Sequence, residues 1–343
     1  MSSAEDLREP DTRSILDVPP ERSTVRTALV HRAGLDRLSG VYALAALVVL
    51  YGLWVPDTFL TTTTLRTVSA NQSVTAIAAM ALVLPVAAGL FDLSVAATLG
   101  VGAVLTVQLQ ADGRSLGVTL LVVVLTGLGV GLLNSLLVVG VGIDSFIATL
   151  GTSSLLSAFA YWITGGNQVI LPPDSNLTSF GQGSLWGVPT PVWYVAAVGL
   201  ILFYVTELTT AGRYAYAVGG NKEAARLIGV RVGRVSVCAL LASSLMATVA
   251  GVVLAAELGA TDPNVGPPYL LPAFSAVLLG ATQVKTNGRV NVLGTLLAVA
   301  LLGTGIYGLQ LAGAPTYVSD LFNGAALIIA VSLALVAHRR TRR

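Results

Sequence analysis

Long apolar runs that carry almost no charge constrain this chain more than any other feature of its sequence. Hydrophobic residues make up 54% of the 343 residues and charged residues only 10%, whereas a soluble domain is roughly 25% charged. A chain this poor in charge cannot cover itself with a solvated surface. We therefore expect lipid to be its main solvent.

The runs are continuous, and their apolar residues do not alternate with polar ones as they would in half-buried strands. A helix needs roughly 20 mostly apolar residues to cross a bilayer, and it satisfies its own backbone hydrogen bonds there. The sequence therefore predicts an all-α membrane protein with about ten transmembrane helices. The expected spans are 39–58, 68–88, 92–110, 116–140, 144–164, 190–207, 235–258, 268–283, 290–311 and 319–337.

At least one span is expected to be broken or re-entrant. The third run is separated from the second only by Gly89, Leu90 and Phe91, and the eighth is short and ends in polar residues. Outside the membrane, the polar loop 165–189 is expected to form an outer cap. It either contacts a partner or substrate, or simply connects two spans.

The placement of Lys and Arg predicts the orientation, because cytoplasmic loops are enriched in these residues. With the N-terminus in the cytoplasm, fifteen of the nineteen Lys and Arg residues fall on the cytoplasmic side near the spans, and only Arg66 and Arg114 fall outside. Both termini are then cytoplasmic. We expect residues 1–38 to be a disordered tail, 39–337 to be the transmembrane domain and 338–343 to be a basic tail.

A carboxylate stands between the second and third runs. Asp92 follows Gly89-Leu90-Phe91 and precedes Leu93-Ser94-Val95, and an acidic group at such a place is costly unless it is satisfied. One interpretation makes Asp92 the N-cap of the third helix. The other places the helix break near a translocation path. The two interpretations are compatible.

Other polar groups within the spans suggest helix packing or a polar path. The second run contains the amides Asn71 and Gln72, which either hold helices together or line a path, and Pro85, which is expected to kink it. In the fourth run, glycines at 127, 129 and 131 precede Asn134. Small residues at this spacing predict close helix packing.

The most basic loop contains a short amphipathic segment. Asn221 is expected to cap a helix over 222–228, and Gly229 is expected to end it. A helix this short is unstable alone. It either docks into the groove of a partner or is a tucked connector that obeys the charge rule.

Signatures of enzymes and metal sites are missing from the sequence. The chain has one cysteine and two histidines, and it contains no paired carboxylates within a span and no phosphate-cradling Gly-x-x-x-x-Gly-Lys loop. We therefore expect no catalytic residues, no metal and no cofactor bound by this chain. If transport across the membrane requires ATP, another protein must bind that ATP.

Several motifs in order resemble one family. Gly89–Val95 resembles the Gly-Gly-Ile-Asp-Leu-Ser-Val segment of the ribose-type permeases of ABC sugar importers, and Gly212–Asn221 resembles their signature cytoplasmic loop. The segments 144–152, 292–297 and 323–329 also resemble this family. Departures from the family pattern lie where helices break or end, as at Leu90, Phe91 and 270–272.

The resemblance implies a transmembrane permease subunit that translocates a monosaccharide or related polyol across the bacterial cytoplasmic membrane. It implies a homodimer, a cytoplasmic ABC ATPase that uses ATP and an extracytoplasmic sugar-binding protein, with no role for nucleic acid. The alternatives are a permease for branched-chain amino acids or nucleosides and an ion-coupled secondary carrier, for which Asp92 would be the ionisable group.

Two sets of residues are the candidate sites. A neutral polyol needs hydrogen-bonding groups and no charged anchor. The substrate-path candidates are Asn71, Gln72, Asp92, Asn134, Thr149 and Gln310. The expected ATPase-coupling segment is Gly220, Asn221, Lys222, Glu223, Ala224, Ala225, Arg226, Leu227, Ile228 and Gly229.

Overall fold

A computed structural model describes residues 39–172, 175–283 and 289–340. The predicted N-terminal tail, Lys285 and the last three residues of the predicted C-terminal tail lie outside the described residues. The backbone of the last helix continues to Arg340, three residues past the predicted end of the tenth span.

Almost every described element is a helix. The helices are α1 (Ser39–Trp54), α2 (Pro56–Phe59), α3 (Thr62–Ala87), α4 (Val95–Ala111), α5 (Leu116–Ser135), α6 (Ser145–Thr164), α7 (Leu177–Gln182), α8 (Thr190–Phe203), α9 (Thr210–Gly220), α10 (Lys222–Leu227), α11 (Val232–Leu258), α12 (Leu270–Gln283), α13 (Val292–Leu311) and α14 (Tyr317–Arg340). π-helical turns extend α5 through Leu136–Val141 and α8 through Tyr204–Leu208, and a 3-10 turn, Pro267–Tyr269, leads into α12.

The strands form two small antiparallel pairs in the loops. β1 (Val169–Ile170) pairs with β4 (Ala260–Thr261), and β2 (Ser184–Leu185) pairs with β3 (Val188–Pro189). The predicted outer loop 165–189 therefore has its own structure, which includes α7. Gly181 of α7 lies against the backbone of Ala256 in α11, so this loop is packed onto the bundle.

The all-α membrane fold is confirmed, but the count of ten spans is not. In the described part of the chain, six helices are long and apolar enough to cross a membrane. They are Thr62–Ala87, Leu116–Val141, Ser145–Thr164, Thr190–Leu208, Val232–Leu258 and Val292–Leu311. Three shorter helices are also apolar, namely Gly40–Trp54, Val95–Ala111 and Tyr317–Ile329.

The core lies around α3, α4 and α11. Residues 73–85 of α3 and 94–107 at α4 are buried without interruption, and a helix that is apolar on all sides belongs at the centre of a bundle. Small residues bring α11 close to its neighbours. A Cβ on Gly251 would overlap the Leu99 carbonyl oxygen and lie 2.7 Å from the Ala103 nitrogen.

The glycine motif of the fourth run packs as predicted. A Cβ on Gly131 would lie 2.8 Å from Leu241 Cα, and one on Gly127 would meet the Thr248 side chain. Gly129, between them, has no heavy atom of another element within 4 Å of its Cβ position. The two glycines four residues apart therefore face α11, as close helix packing requires.

The predicted break between the second and third runs carries non-helical backbone, whereas the eighth run forms one continuous helix, α12, after a 3-10 turn. Residues 88–94 separate α3 from α4, and residues 259–266 precede the turn into α12. The second segment runs against α4, because a Cβ on Gly266 would overlap the Ala96 carbonyl oxygen and lie 3.0 Å from Gly100 Cα. Pro85 lies in the last turn of α3, which ends at Ala87, so it marks the helix end rather than a bend in its middle.

We predict that Gly251→Ala destabilises the protein, whereas Gly129→Ala does not. The added methyl at 251 meets backbone of α4 that no side-chain rotation can clear, and overpacking of this kind costs about 1–3 kcal/mol. At 129 the methyl enters open space. The check is the thermal unfolding temperature of the two purified variants in the same detergent. Equal temperatures would contradict the packing described here.

Candidate translocation and coupling sites

Several backbone amides of the break between α3 and α4 donate to identified acceptors. Phe91 N–H donates to the Ser145 hydroxyl at 3.1 Å, and Leu93 N–H donates to the Thr149 hydroxyl at 3.0 Å. Leu90 N–H donates to the Pro85 carbonyl at 2.9 Å. An unpaired amide among buried helices would cost free energy, so the side chains at the start of α6 hold this stretch in place.

Asp92 is fully buried at the centre of a polar cluster. Its Oδ1 accepts hydrogen bonds from the Ser94 amide at 3.0 Å and the Ser94 hydroxyl at 2.6 Å. Its Oδ2 accepts from the Ser243 hydroxyl at 2.7 Å. Asn134 completes the cluster by donating from Nδ2 to the Ser94 hydroxyl at 2.8 Å. The cluster joins the break to α5 and α11.

The N-cap interpretation of Asp92 is wrong in its register. α4 begins at Val95 with Ser94 at the N-cap, and Ser94 makes no side-chain capping bond. Asp92 instead accepts the N–H of Ser94, two residues ahead of it. Its carboxylate fixes the turn before the helix and ties that turn to α11, so it acts across the bundle rather than on the helix end alone.

The cluster is not fully satisfied. Asn134 Oδ1, Ser244 Oγ and Thr98 Oγ1 are buried and have no hydrogen-bond partner among the described residues. Buried polar atoms without partners are uncommon. The helices around Asp92 therefore contain both a carboxylate that accepts three hydrogen bonds and buried oxygens that have no hydrogen-bond partner among the described residues.

The six substrate-path candidates fall into two groups. Asp92, Asn134 and Thr149 are buried around the break. The others lie elsewhere. Asn71 is exposed on α3, and the Gln72 side chain packs against Gly303 of α13. Gln310, near the end of α13, donates to the Ser319 hydroxyl at 3.0 Å.

Gln72 lines a mostly apolar cavity of about 360 Å³ between α1, α3, α8 and α13. Ser69, Ser73 and Thr304 supply the other hydroxyl groups of its wall. This cavity and the cluster at Asp92 are separate sites, since they share no residue.

The predicted coupling segment forms the helix that the sequence indicates. Asn221 caps α10 by accepting the Ala224 N–H at 3.0 Å, and Gly229 follows the helix with a φ of +84°. Glu223 and Arg226 form an exposed ion pair at 3.3 Å. Arg226 is therefore already paired within α10.

α10 is fixed on one side and free on the other. Val218, Ala225 and Val230 are buried together and attach α10 to α9 and to the start of α11. Leu227 and Ile228 are 88% and 78% exposed. Two adjacent aliphatic side chains at the end of this short helix are thus almost fully exposed.

The C-terminal end of α9 touches the break directly. A Cβ on Gly219 would overlap the Ala87 carbonyl oxygen and lie 3.1 Å from the Gly89 nitrogen. Gly89, with a φ of +72°, lies as close in return, because its Cβ would be 3.3 Å from Gly219 Cα. We call this contact the Gly219–Gly89 seam. It lies between the coupling segment and the turn that carries Asp92.

Tyr216 attaches α9 to the segment before α13. Its hydroxyl donates to the Val290 carbonyl at 2.9 Å, and the Arg289 guanidinium lies 5.6 Å from the ring centroid. Burial, with help from the Glu207 carboxylate, raises the pKa of Tyr216 to about 12. The hydroxyl therefore keeps its proton at neutral pH and remains a donor.

Comparison with known proteins identifies the family. A family model described as branched-chain amino acid transport system / permease component matches residues 65–331. The ribose import permease protein of Escherichia coli K12 is 30% identical over 303 residues, which are 88% of this chain and 94% of that protein. This chain belongs to that permease family.

Other permeases of the family are similarly related. The D-allose transport system permease protein of Escherichia coli K12 is 30% identical over 299 residues, or 87% of this chain and 91% of that protein. The autoinducer 2 import system permease protein of Photorhabdus laumondii is 30% identical over 273 residues, or 77% and 81% of the two chains. No solved structure matches this chain.

Membership confirms that the chain is a permease component and not an enzyme, and that it is a multi-pass protein of the inner membrane. Among the described residues, no three His, Cys, Asp or Glu side chains group as metal ligands do.

Sequence reasoning missed the serines that complete this permease site. Ser94, Ser145 and Ser243 bond to the break or to Asp92, yet a hydroxyl in an apolar run also bonds readily to its own helix. The order and length of the spans do not specify which residues of α11 face the break. A buried carboxylate was the available signal, because it requires donors from neighbouring helices.

We predict that Ser243→Ala destabilises this permease more than Ser244→Ala does. Both serines are fully buried on α11, but Ser243 donates to Asp92 and Ser244 has no partner. Removing the donor to a buried carboxylate costs about 1–3 kcal/mol. The thermal unfolding temperatures of the two purified variants are the measurement. A larger fall in Ser244→Ala would contradict the role assigned to Asp92.

Proposed function

We propose that this chain is the membrane-spanning permease of an ATP-driven importer that moves a monosaccharide or related polyol into the cell. The Gly219–Gly89 seam supports the proposal most directly, because it brings the end of α9, next to the proposed coupling segment, into backbone contact with the break between α3 and α4. The ribose and allose permeases among its relatives suggest the substrate class.

The proposed arrangement has ten spans and both termini in the cytoplasm. α12, a 14-residue helix, and the three shorter apolar helices would join the six long ones as spans. Partners would be a second copy of this chain, an ABC ATPase and an extracytoplasmic sugar-binding protein. ATP would be used by the ATPase, since this chain is proposed to bind no cofactor.

In the proposed mechanism, the ATPase binds Leu227 and Ile228 and displaces α10. Val218, Ala225 and Val230 bury α10 against α9, so the displacement moves α9 as well. The end of α9 then pushes on Ala87 and Gly89. Rigid elements that meet through packed backbone transmit motion in this way, as in other transporters and switches.

The six polar candidates would have different roles in transport. Asn71 and Gln72 are the amides available to a passing polyol, because neither is tied into the cluster at the break. Asp92, Asn134 and Thr149 would set the shape of the break, since their hydrogen bonds are made within the protein. Gln310 would hold the end of α13 near Ser319.

The first experiment is gentle purification of the tagged chain from native membranes, followed by reconstitution in vesicles with the proteins that accompany it. The proposal expects an ABC ATPase in fixed ratio and ATP-dependent uptake of one sugar from a panel. Uptake of branched-chain amino acids or nucleosides instead would replace the substrate class. Uptake that follows an ion gradient without ATP would overturn the proposal.

We predict that Ile228→Glu separates the permease from its ATPase. A charge at the exposed tip of α10 opposes burial in an apolar groove, while a side chain that is 78% exposed has little part in the fold. Co-purification with the ATPase is the measurement. Lys222→Glu is the matched control, because it changes a charge on the same helix away from the tip, and it should retain more of the ATPase.

We predict that Gly219→Ala uncouples transport while leaving the ATPase bound. The methyl overlaps the Ala87 carbonyl and forces the seam apart, whereas Gly220→Ala places its methyl where no heavy atom lies within 4 Å. Uptake per ATP hydrolysed should fall several-fold in the first variant and remain near wild type in the second. Equal coupling in both variants would show that the seam carries no motion.

A further inference from the structure

Two cavities on the α4–α5 side of the bundle adjoin each other and differ in polarity. The first, of about 340 Å³, is walled by α5, α8 and α11 and is almost wholly apolar. The second, of about 820 Å³, is a polar groove between the α4–α5 turn and α7. Leu116, Leu177 and Phe180 line both, so the two spaces form one continuous amphipathic site.

The apolar cavity offers nothing to a polar solute. Its walls include Leu120, Val124, Val198 and Val252, and its polar side chains are Thr248 and Tyr194. The hydroxyl of Tyr194 donates to the Phe180 carbonyl, so it is already used. A site of this size and lining suits a hydrocarbon chain, since pockets of roughly 300–1,000 Å³ hold drug-sized apolar ligands.

The polar groove carries a cation, Arg114, that has no acidic partner among the described residues. Arg114 lines it together with Ser115, Asn176 and Ser179. Among the residues that the structure describes, no carboxylate forms a salt bridge with Arg114. An arginine in a groove of hydroxyls and amides is suited to a phosphate group, which it binds through paired N–H donors.

We propose that this amphipathic site binds one anionic phospholipid. The phosphate lies in the groove at Arg114, and one acyl chain passes between Leu116 and Phe180 into the apolar cavity. The proposal does not depend on the transported substrate. With the orientation proposed above, Arg114 is in an outer loop, so the lipid belongs to the outer leaflet of the membrane.

The position of the site gives the lipid a structural consequence. α7 closes the apolar cavity from one end through Leu177 and Phe180, and Gly181 of α7 lies against α11. The lipid therefore fills the space beneath α7 and holds this part of the outer loop on the bundle. Without it, α7 loses part of its apolar support.

The test is native mass spectrometry of the purified permease after exchange into detergent with phosphatidylglycerol or phosphatidylethanolamine of the same chain length. Wild type should retain one phosphatidylglycerol in preference to phosphatidylethanolamine. Arg114→Gln should weaken retention of phosphatidylglycerol about ten-fold, the size of one lost charge-assisted contact. Ala197→Phe, which fills the apolar cavity, should abolish retention of both lipids.

Matched variants distinguish this site from general lipid contact. Arg66→Gln removes the other outer arginine, and Leu121→Phe enlarges an exposed residue of α5 that does not line the cavity. Both should behave as wild type. If Ala197→Phe does not fold, Val124→Phe fills the same cavity from α5.

The proposal is overturned if Arg114→Gln keeps the preference for phosphatidylglycerol, or if the cavity-filling variants retain lipid as wild type does. It is also overturned if those variants change the number of copies in the particle while lipid retention is unchanged. In that case the surface is an interface between copies of this chain.

Discussion

A stretch of backbone without helical hydrogen bonds can lie among buried helices only if other groups bond to its amides. In the segment 88–94, the Phe91 and Leu93 amides donate to side chains of α6, and the Asp92 and Ser94 side chains bond to residues of α11 and α5. α6 supplies Ser145 and Thr149, α11 supplies Ser243, and α5 supplies Asn134. The positions of α5, α6 and α11 are therefore linked through one short turn, and Asp92 is its most strongly bonded member.

This requirement explains why the surrounding helices are rich in small residues. Hydrogen bonds between side chains and backbone need short separations, and glycine allows helices to approach. Gly127 and Gly131 bring α5 onto α11, and Gly251 brings α11 onto α4. The same principle acts where the turn begins, because Gly219 and Gly89 place α9 in backbone contact with it. The end of α9 and the turn therefore meet through backbone atoms, with no side chain between them at this contact.

The sequence predicted the broad features and the local motifs because each depends on neighbouring residues. Apolar run lengths gave the helices, and Asn221 and Gly229 gave the ends of α10. Contacts across the bundle could not be predicted in the same way. Gln72 and Asp92 both stand as polar residues in or beside apolar runs, yet one packs on Gly303 and the other bonds to Ser243. The rotation of each helix decides between these outcomes, and run lengths carry no information about it.

The boundary of α4 shows the limit at a single residue. An aspartate three residues before Val95 is a good capping type, but the chain turns once more, and Ser94 takes the N-cap position. The donor from α11 favours this arrangement, because it satisfies the second carboxylate oxygen. Tertiary contact therefore overrides the local preference at the residue on which the site depends.

Hydrogen–deuterium exchange of peptides covering residues 86–95 tests the central claim most directly, with the permease assembled with its ATPase and measured with and without ATP. The account predicts that exchange in this turn changes when ATP binds, together with exchange in 217–229, because the two segments move as one through the seam. If exchange in 217–229 changes and exchange in 86–95 stays constant, the turn at Asp92 does not receive the motion, and the account is contradicted.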